Sequence, residues 1–319
     1  MKIPVAVIAL AMMVPSVLRP APETGGGPAN LPRKQVLVFT KSSGYEHSVI
    51  ADPSKPFTAR PGSAVPGLAF QVLREMGAKN NIEFVFSKDG SLFRPAYLAQ
   101  FDAFFFYTTG DLTEAGTDGN PPMSPEGKAA FLRAIYEGKG FIGTHSATDT
   151  FHSPGGRDIK GERFKQDGDN ADPYIKMIGG EFIIHGQQQP SHLIVADPKF
   201  PGISAVPADN IMLEEWYTMK DFASNLHVLL VQDTSGMAGI DYRRPNYPST
   251  WARLYGQGRV FYTSMGHRDD IWRSPVFQAV LLGGINWALG RVDADVTPNI
   301  DRVTPLASVL PAWPAPPAK

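Results

Sequence analysis

Short apolar runs recur along this chain, and polar turns end them. Residues 35–40, 82–87, 103–107 and 141–144 are such runs, rich in Val, Ile and Phe. Near-continuous apolarity is what strands covered on both faces require. Helical spacing falls between them. Leu68, Val72, Leu73 and Met76 repeat at three and four residues within 64–77, and Gly77 is the expected stop. Ser124-Pro125-Glu126 opens a second helix, with Ser as cap and Pro in the first turn. Phe131, Leu132 and Ile135 form its apolar face, and Gly138 ends it. This β-α-β-α-β order predicts a parallel sheet with right-handed crossovers and helices on both faces.

The second half is less regular. Residues 151–172 are polar and Gly-rich and read as a loop over the edge of a site. Strands are expected at 193–196, 212–217 and 228–232. Residues 251–254 and 259–264 flank Gly256-Gln257-Gly258, a hairpin signal. Residues 276–289, apolar on most faces, read as a buried final helix. No internal repeat is present.

The ends differ in kind. Lys2 precedes an apolar stretch from Ile3 to Val14, the length of a signal-peptide core and short for a membrane span. Residues 1–22 therefore read as a signal peptide or uncleaved anchor, 23–33 as a linker, 34–291 as the folded domain and 292–319 as a Pro/Ala-rich tail. The expected location is periplasmic or secreted, with no stable membrane insertion after signal cleavage. Thirty basic and 31 acidic residues leave a net charge of −1 with no basic block, so nucleic acid has no electrostatic footing. There is no cysteine, which removes disulfides, thiolate nucleophiles and zinc–thiolate sites.

The chemistry gathers where apolar runs end. One run leads to Gly44-Tyr45-Glu46-His47, another to His145-Ser146-Ala147-Thr148-Asp149, a third to Met265-Gly266-His267. In an open α/β sheet, ligands bind outside the carboxyl ends of the strands, so parallel neighbours would bring these histidines into one crevice. His145 alone could be a core or capping histidine. The polar residues crowded after it imply a network or a ligand, because unpaired polar groups are costly to bury. Asp111, in Thr108-Thr109-Gly110-Asp111, adds a carboxylate at the same edge, or merely caps a turn. Lys41-Ser42-Ser43-Gly44 lacks the spacing of a P-loop.

Glu214-Glu215-Trp216-Tyr217 sets acids beside aromatics, a combination suited to sugar hydroxyls and apolar sugar faces. Alternation along a strand lets only one acid face a pocket, and Glu215 with Tyr217 is the favoured pair; a solvated strand end is the alternative. No metal-binding spacing such as HExxH occurs, and none demands that His145, Asp149 and His267 hold an ion, so no metal or other cofactor is expected. No Gly-x-Ser-x-Gly elbow marks a serine hydrolase.

These blocks, in this order, resemble the ThuA-like (trehalose utilisation) family of the class I glutamine amidotransferase-like fold. The resemblance rests on Gly44-Tyr45-Glu46-His47, on Gly143 through Asp149, and on Tyr174 with Ile178-Gly179-Gly180-Glu181-Phe182 and His185. It continues through Glu214 to Tyr217, Pro248 to Trp251, and Gly256 through Tyr262 into Gly266-His267. Two blocks depart from the usual pattern: Glu46 precedes His47 where the family has Arg, and Glu214-Glu215 replaces Asp-Glu. The resemblance implies a flavodoxin-like, doubly wound, mostly parallel sheet and a role in carbohydrate metabolism. It implies no amidotransferase activity, which needs a cysteine at the elbow where His145 sits.

The expected function is processing of a saccharide or keto-sugar by hydrolysis or proton transfer, with a non-catalytic carbohydrate-binding module as the alternative. His145 or Glu215 is the expected base and His267 the donor. His47, Asp111, Asp149, His185, Trp216, Tyr217 and Trp251 are the expected substrate contacts. The expected partner is a small-molecule saccharide, and the sequence leaves the oligomeric state open.

Overall fold

The computed structural model describes residues 32–51, 67–154 and 161–312. The expected signal segment and most of the linker lie outside them. The chain runs β1 (Lys34–Phe39), α1 (Leu68–Asn80), β2 (Ile82–Ser87), α2 (Pro95–Leu98), β3 (Ala103–Phe106), α3 (Pro125–Tyr136) and β4 (Gly140–Thr144). It continues through α4 (Pro173–Ile178), β5 (Glu181–His185), β6 (Gln189–Ser191), β7 (Leu193–Val195), β8 (Met212–Glu214), β9 (Tyr217–Lys220), β10 (His227–Gln232) and β11 (Tyr247–Tyr255). It closes with β12 (Gly258–Thr263), α5 (Asp269–Arg273), α6 (Pro275–Ala288) and α7 (Ile300–Val303).

Eight strands form one sheet in the order β2-β1-β3-β4-β12-β11-β10-β7. The first five are parallel, and the last three continue antiparallel. The parallel part follows the 2-1-3-4-5 order of flavodoxin-like sheets, in which the chain reverses direction across the sheet between β1 and β3. Alternation along the strands divides the core. Val36, Val38, Phe105, Ile142 and Phe261 face one apolar layer with residues of α1, α5 and α6. Leu37, Phe39, Phe104, Phe106, Phe141 and Val260 face the other with α3 and α4. Two-stranded pairs, β5 with β9 and β6 with β8, sit apart from the main sheet.

Local signals act largely as read. The Ser124 hydroxyl accepts from Gly127 N, and Pro125 starts α3. The hairpin joins β11 to β12, with Gly256 at φ +59°. Gly77 does not end α1. The helix runs on to Asn80, and Asn81 closes it in the left-handed conformation at φ +52°. Gly77 is small for another reason: an added Cβ would lie 2.4 Å from the Ile82 carbonyl oxygen. The strand expected over 212–217 breaks at Glu215 and Trp216 into β8 and β9, each with a different partner.

The C-terminal tail also differs from expectation. Asn299 accepts from Val228 N at 2.6 Å and donates to Val228 O at 3.1 Å, and Ile300 and Ala307 are buried. Arg244 donates to Ala307 O at 2.6 Å. Described residues after 291 therefore belong to the domain, held by polar anchors that hydrophobic patterning does not register. Among the described residues, no helix is long and apolar enough to cross a membrane.

Candidate active site

The carboxyl ends of β1, β3, β4 and β12 converge on one cluster. The turn after β1 carries His47, β3 runs into Tyr107, β4 into His145, and β12 into Ser264 and His267. His145 has φ +44°, a conformation that costs a non-glycine residue of order 1–3 kcal/mol. Two contacts from β12 and the segment after it hold it there. Tyr262 Oη donates to the His145 carbonyl at 2.8 Å, and the His145 ring meets the Ser264 carbonyl at 3.1 Å through Nδ1. A carbonyl only accepts, so Nδ1 carries a proton and Nε2 is the nitrogen turned to the cluster.

Nε2 of His145 lies 3.2 Å from His267 Nδ1 and 3.5 Å from Glu215 Oε2. His267 Nδ1 is 3.0 Å from that same oxygen. The His47 ring packs edge-on against both imidazoles, with centroids 4.8 Å from His145 and 5.2 Å from His267. The backbone before His267 is locked. Gly266 adopts φ +125°, and its carbonyl accepts from Trp272 Nε1 at 2.7 Å and Tyr107 Oη at 3.0 Å. The His267 N–H donates to Glu214 Oε1 at 2.7 Å.

Burial divides these groups chemically. It lowers the pKa of His47 well below the imidazole value, and the neighbouring imidazoles reinforce the shift. Burial also lowers the pKa of His145, against the opposing pull of Glu215. Burial alone would raise Glu215, but hydrogen bonds from His145 and His267 outweigh it and hold the carboxyl well below its ordinary range. Glu214, enclosed behind the cluster, is pushed up by burial to about 8. The break after β8 therefore brings both acids to the site in different states: Glu215 ionised at the cleft, Glu214 behind it bracing the backbone.

The cleft above has a volume of ≈ 310 Å³. His47, Glu215 and His267 line it together with Tyr45, Asp149, Phe182, His185, Gln188 and Tyr217. Phe182 and Tyr217 pack with centroids 4.1 Å apart, and His185 stacks on Tyr217 at 5.7 Å. His145 is fully buried and lies behind this surface.

Asp149 points elsewhere than the imidazole cluster. Its Oδ1 is 2.9 Å from His152 Nε2, and His152 Nδ1 is 3.1 Å from Glu181 Oε1. Glu181 also accepts from Ser153 through both its backbone N–H and its hydroxyl. His152, Tyr45 and Gln188 are site residues that the sequence reading did not single out. The His-bearing turn after β1 and the Asp149-Thr150-Phe151-His152 continuation were the available signals.

Three expected contacts are not brought to the cleft. Trp216 is fully buried in the core, with Nε1 donating to Gln189 O at 3.0 Å. Trp251 is likewise buried, with Nε1 donating to Ile178 O at 2.8 Å. Both indoles satisfy their one polar group against backbone, as buried tryptophans do. Asp111 faces solvent and accepts from Thr113, the capping-turn alternative. His47, His185, Glu215, Tyr217, His267 and Asp149 do line the cleft.

The fold and site together define an α/β protein with a flavodoxin-like sheet and a polar cleft at its topological switch. The family model for ThuA, described as trehalose utilisation, matches residues 35–288. The chain belongs to this family. Among solved structures it is similar to a putative ThuA-like protein from Bacteroides uniformis, at 17% identity and a TM-score of 0.56, covering 82% of this chain and 95% of that one. Another putative ThuA-like protein, from Parabacteroides merdae, gives 17% identity and a TM-score of 0.50 over 82% of this chain and 92% of that one. These likenesses concern the fold. No curated protein matches the sequence.

Proposed function

We propose that the cleft is the active site of a carbohydrate-processing enzyme that acts on a saccharide or keto-sugar by proton transfer or hydrolysis. The observation that carries this reading is Glu215: an ionised carboxylate on the cleft floor, held by two imidazoles, beside a wall of Tyr217, Phe182 and His185. The rings suit the apolar face of a sugar, and the surrounding polar groups suit its hydroxyls.

A keto group acidifies the neighbouring C–H, so one base and one electrophilic donor suffice. Glu215 lines the cleft and takes the role of base. His267, partly exposed beside it, takes that of donor to the developing oxyanion. His145, buried behind both, is a positioning residue. A non-catalytic binding module would use the same aromatic wall, but it has no need of a histidine held at positive φ behind a carboxylate. Family membership supports a connection with trehalose utilisation, and the apolar N-terminus supports export.

Glu215→Gln tests the assignment. It keeps the size of the side chain and removes the base, so turnover of a converted sugar should fall about 10²–10⁴-fold while KM changes little. Unchanged turnover in the folded variant removes Glu215 as base.

A further inference from the structure

We propose that His47, His145, Glu215 and His267 form a binding site for one divalent transition-metal ion of the zinc type. Nothing in the sequence spacing announces it, because the four ligands come from four separate segments. Each offers one donor atom, and these atoms all lie within 4.8 Å of one another.

The distances match a coordination shell. Ligands at about 2.0–2.1 Å around a tetrahedral zinc are separated by about 3.3 Å. The three edges among His145 Nε2, His267 Nδ1 and Glu215 Oε2 measure 3.0, 3.2 and 3.5 Å. Three imidazoles and one carboxylate suit zinc and its first-row neighbours.

Ring orientation points the same way. His145 Nδ1 donates to the Ser264 carbonyl, which turns Nε2 toward Glu215 and His267 as the nitrogen an ion would take. His47 is nine-tenths buried or more, and its Nδ1 has no hydrogen-bond partner. The Ser264 contact is the kind of outer-shell bond that fixes the tautomer of a metal-ligating histidine. Gln188 Nε2 contacts the far edge of the His267 ring at 2.9 Å, so Nδ1 is turned inward.

A second grouping of acids, Asp167, Glu181 and Asp221, has its cation already. Lys220 Nζ bonds Asp167 and lies 3.8 Å from Asp221. It needs no ion. Among the described residues, the ion pairs of the histidine cluster run to Glu215 and include no lysine or arginine.

A bound ion would face the cleft on the side of His47, Glu215 and His267. There it would take a sugar carbonyl or hydroxyl oxygen as a further ligand and act as the electrophile in place of His267, and Glu215, bound to it, would leave the role of base to another cleft group. Asp149, His185 and the phenols of Tyr45 and Tyr217 are the other titratable groups that line the cleft.

The test needs no substrate, so its outcome is independent of the sugar reading. Full-length protein is stripped with chelator and titrated with Zn²⁺ against a chromophoric competitor, and separately with Co²⁺ while visible absorption is followed. One equivalent should bind, with the intense visible bands of low-coordinate Co²⁺. His47→Ala and His267→Ala should each weaken binding at least 10-fold, whereas His192→Gln, outside the cluster, should not. Thermal unfolding of each stripped variant checks folding. If a variant fails to fold, the titration of the unmutated protein still decides. Substoichiometric binding by the unmutated protein, or binding unchanged in folded His267→Ala, overturns the proposal.

Discussion

His145 and His267 are 122 positions apart in the chain, yet their facing ring nitrogens are 3.2 Å apart. The closeness follows from β4 and β12 being parallel neighbours, with Thr144 paired to Thr263. Both histidines follow the carboxyl ends of their strands, and cross-strand bonds fix each one. Thr144 donates to Met265 O at 2.7 Å, and Tyr262 donates to His145 O at 2.8 Å. The pair is therefore a product of sheet register.

The strain at His145 makes a separable claim. His145→Gly should retain more stability than His145→Ala, by about 1 kcal/mol, because glycine accepts positive φ without penalty. Chemical denaturation of both variants measures this. Alanine equal to or better than glycine would contradict the strained conformation.

Gly266 carries a similar argument. At φ +125°, an added Cβ would lie 2.8 Å from Thr144 Oγ1. Gly266→Ala should cost about 1–3 kcal/mol and displace His267. Turnover should fall more than the loss of folded protein explains. Full activity at wild-type stability would show that His267 does not depend on this turn.

The two buried tryptophans should separate from the cleft aromatics. Trp251→Ala should destabilise by about 3–5 kcal/mol, as expected for removal of a core indole. Trp251→Phe, if folded, should bind sugar normally. Tyr217→Ala should weaken sugar binding more than it lowers turnover at saturation, since its ring faces the cleft. Binding titrations of the three variants decide. Normal affinity in Tyr217→Ala would remove the aromatic wall from the account.

Glu181 predicts an acid limb of stability. Burial would raise its pKa, but hydrogen bonds from His152 and Ser153, with the charges of His152 and Lys220, leave it below the ordinary 4.5. A carboxyl depressed in the folded state adds stability above its unfolded pKa and loses it as pH falls through the folded one. Stability should therefore drop on acidification below about pH 4.5, and Glu181→Gln should flatten that drop while lowering stability at pH 7. An unchanged acid limb in the variant would contradict the assignment.

What the sequence made legible was what depends on periodicity and local caps. β2 spans the expected residues, α3 begins at Ser124-Pro125, and the β11–β12 hairpin forms at Gly256-Gln257. Strand ends also told where polar residues meet, which located His47, His145 and His267. Side-chain direction at breaks in structure was not legible. Alternation predicts that only one of Glu214 and Glu215 reaches the site, yet Glu215 lines the cleft and Glu214 accepts from His267 N behind it, because the strand breaks between β8 and β9. His152 was hidden for the same reason. It and Phe151 adopt positive φ, which no pattern of polarity encodes.

The central claim is that this cleft converts a sugar, and product analysis tests it most directly. The purified protein, as isolated and after loading with Zn²⁺, is incubated with a panel of disaccharides and their keto forms beside Glu215→Gln, and products are resolved by chromatography and mass spectrometry. The account expects at least one sugar to be converted by the unmutated protein, at a rate about 10²–10⁴-fold above that of the variant. A sugar that binds in the cleft but emerges unaltered from every incubation, or conversion that proceeds equally well with Glu215→Gln, would contradict it.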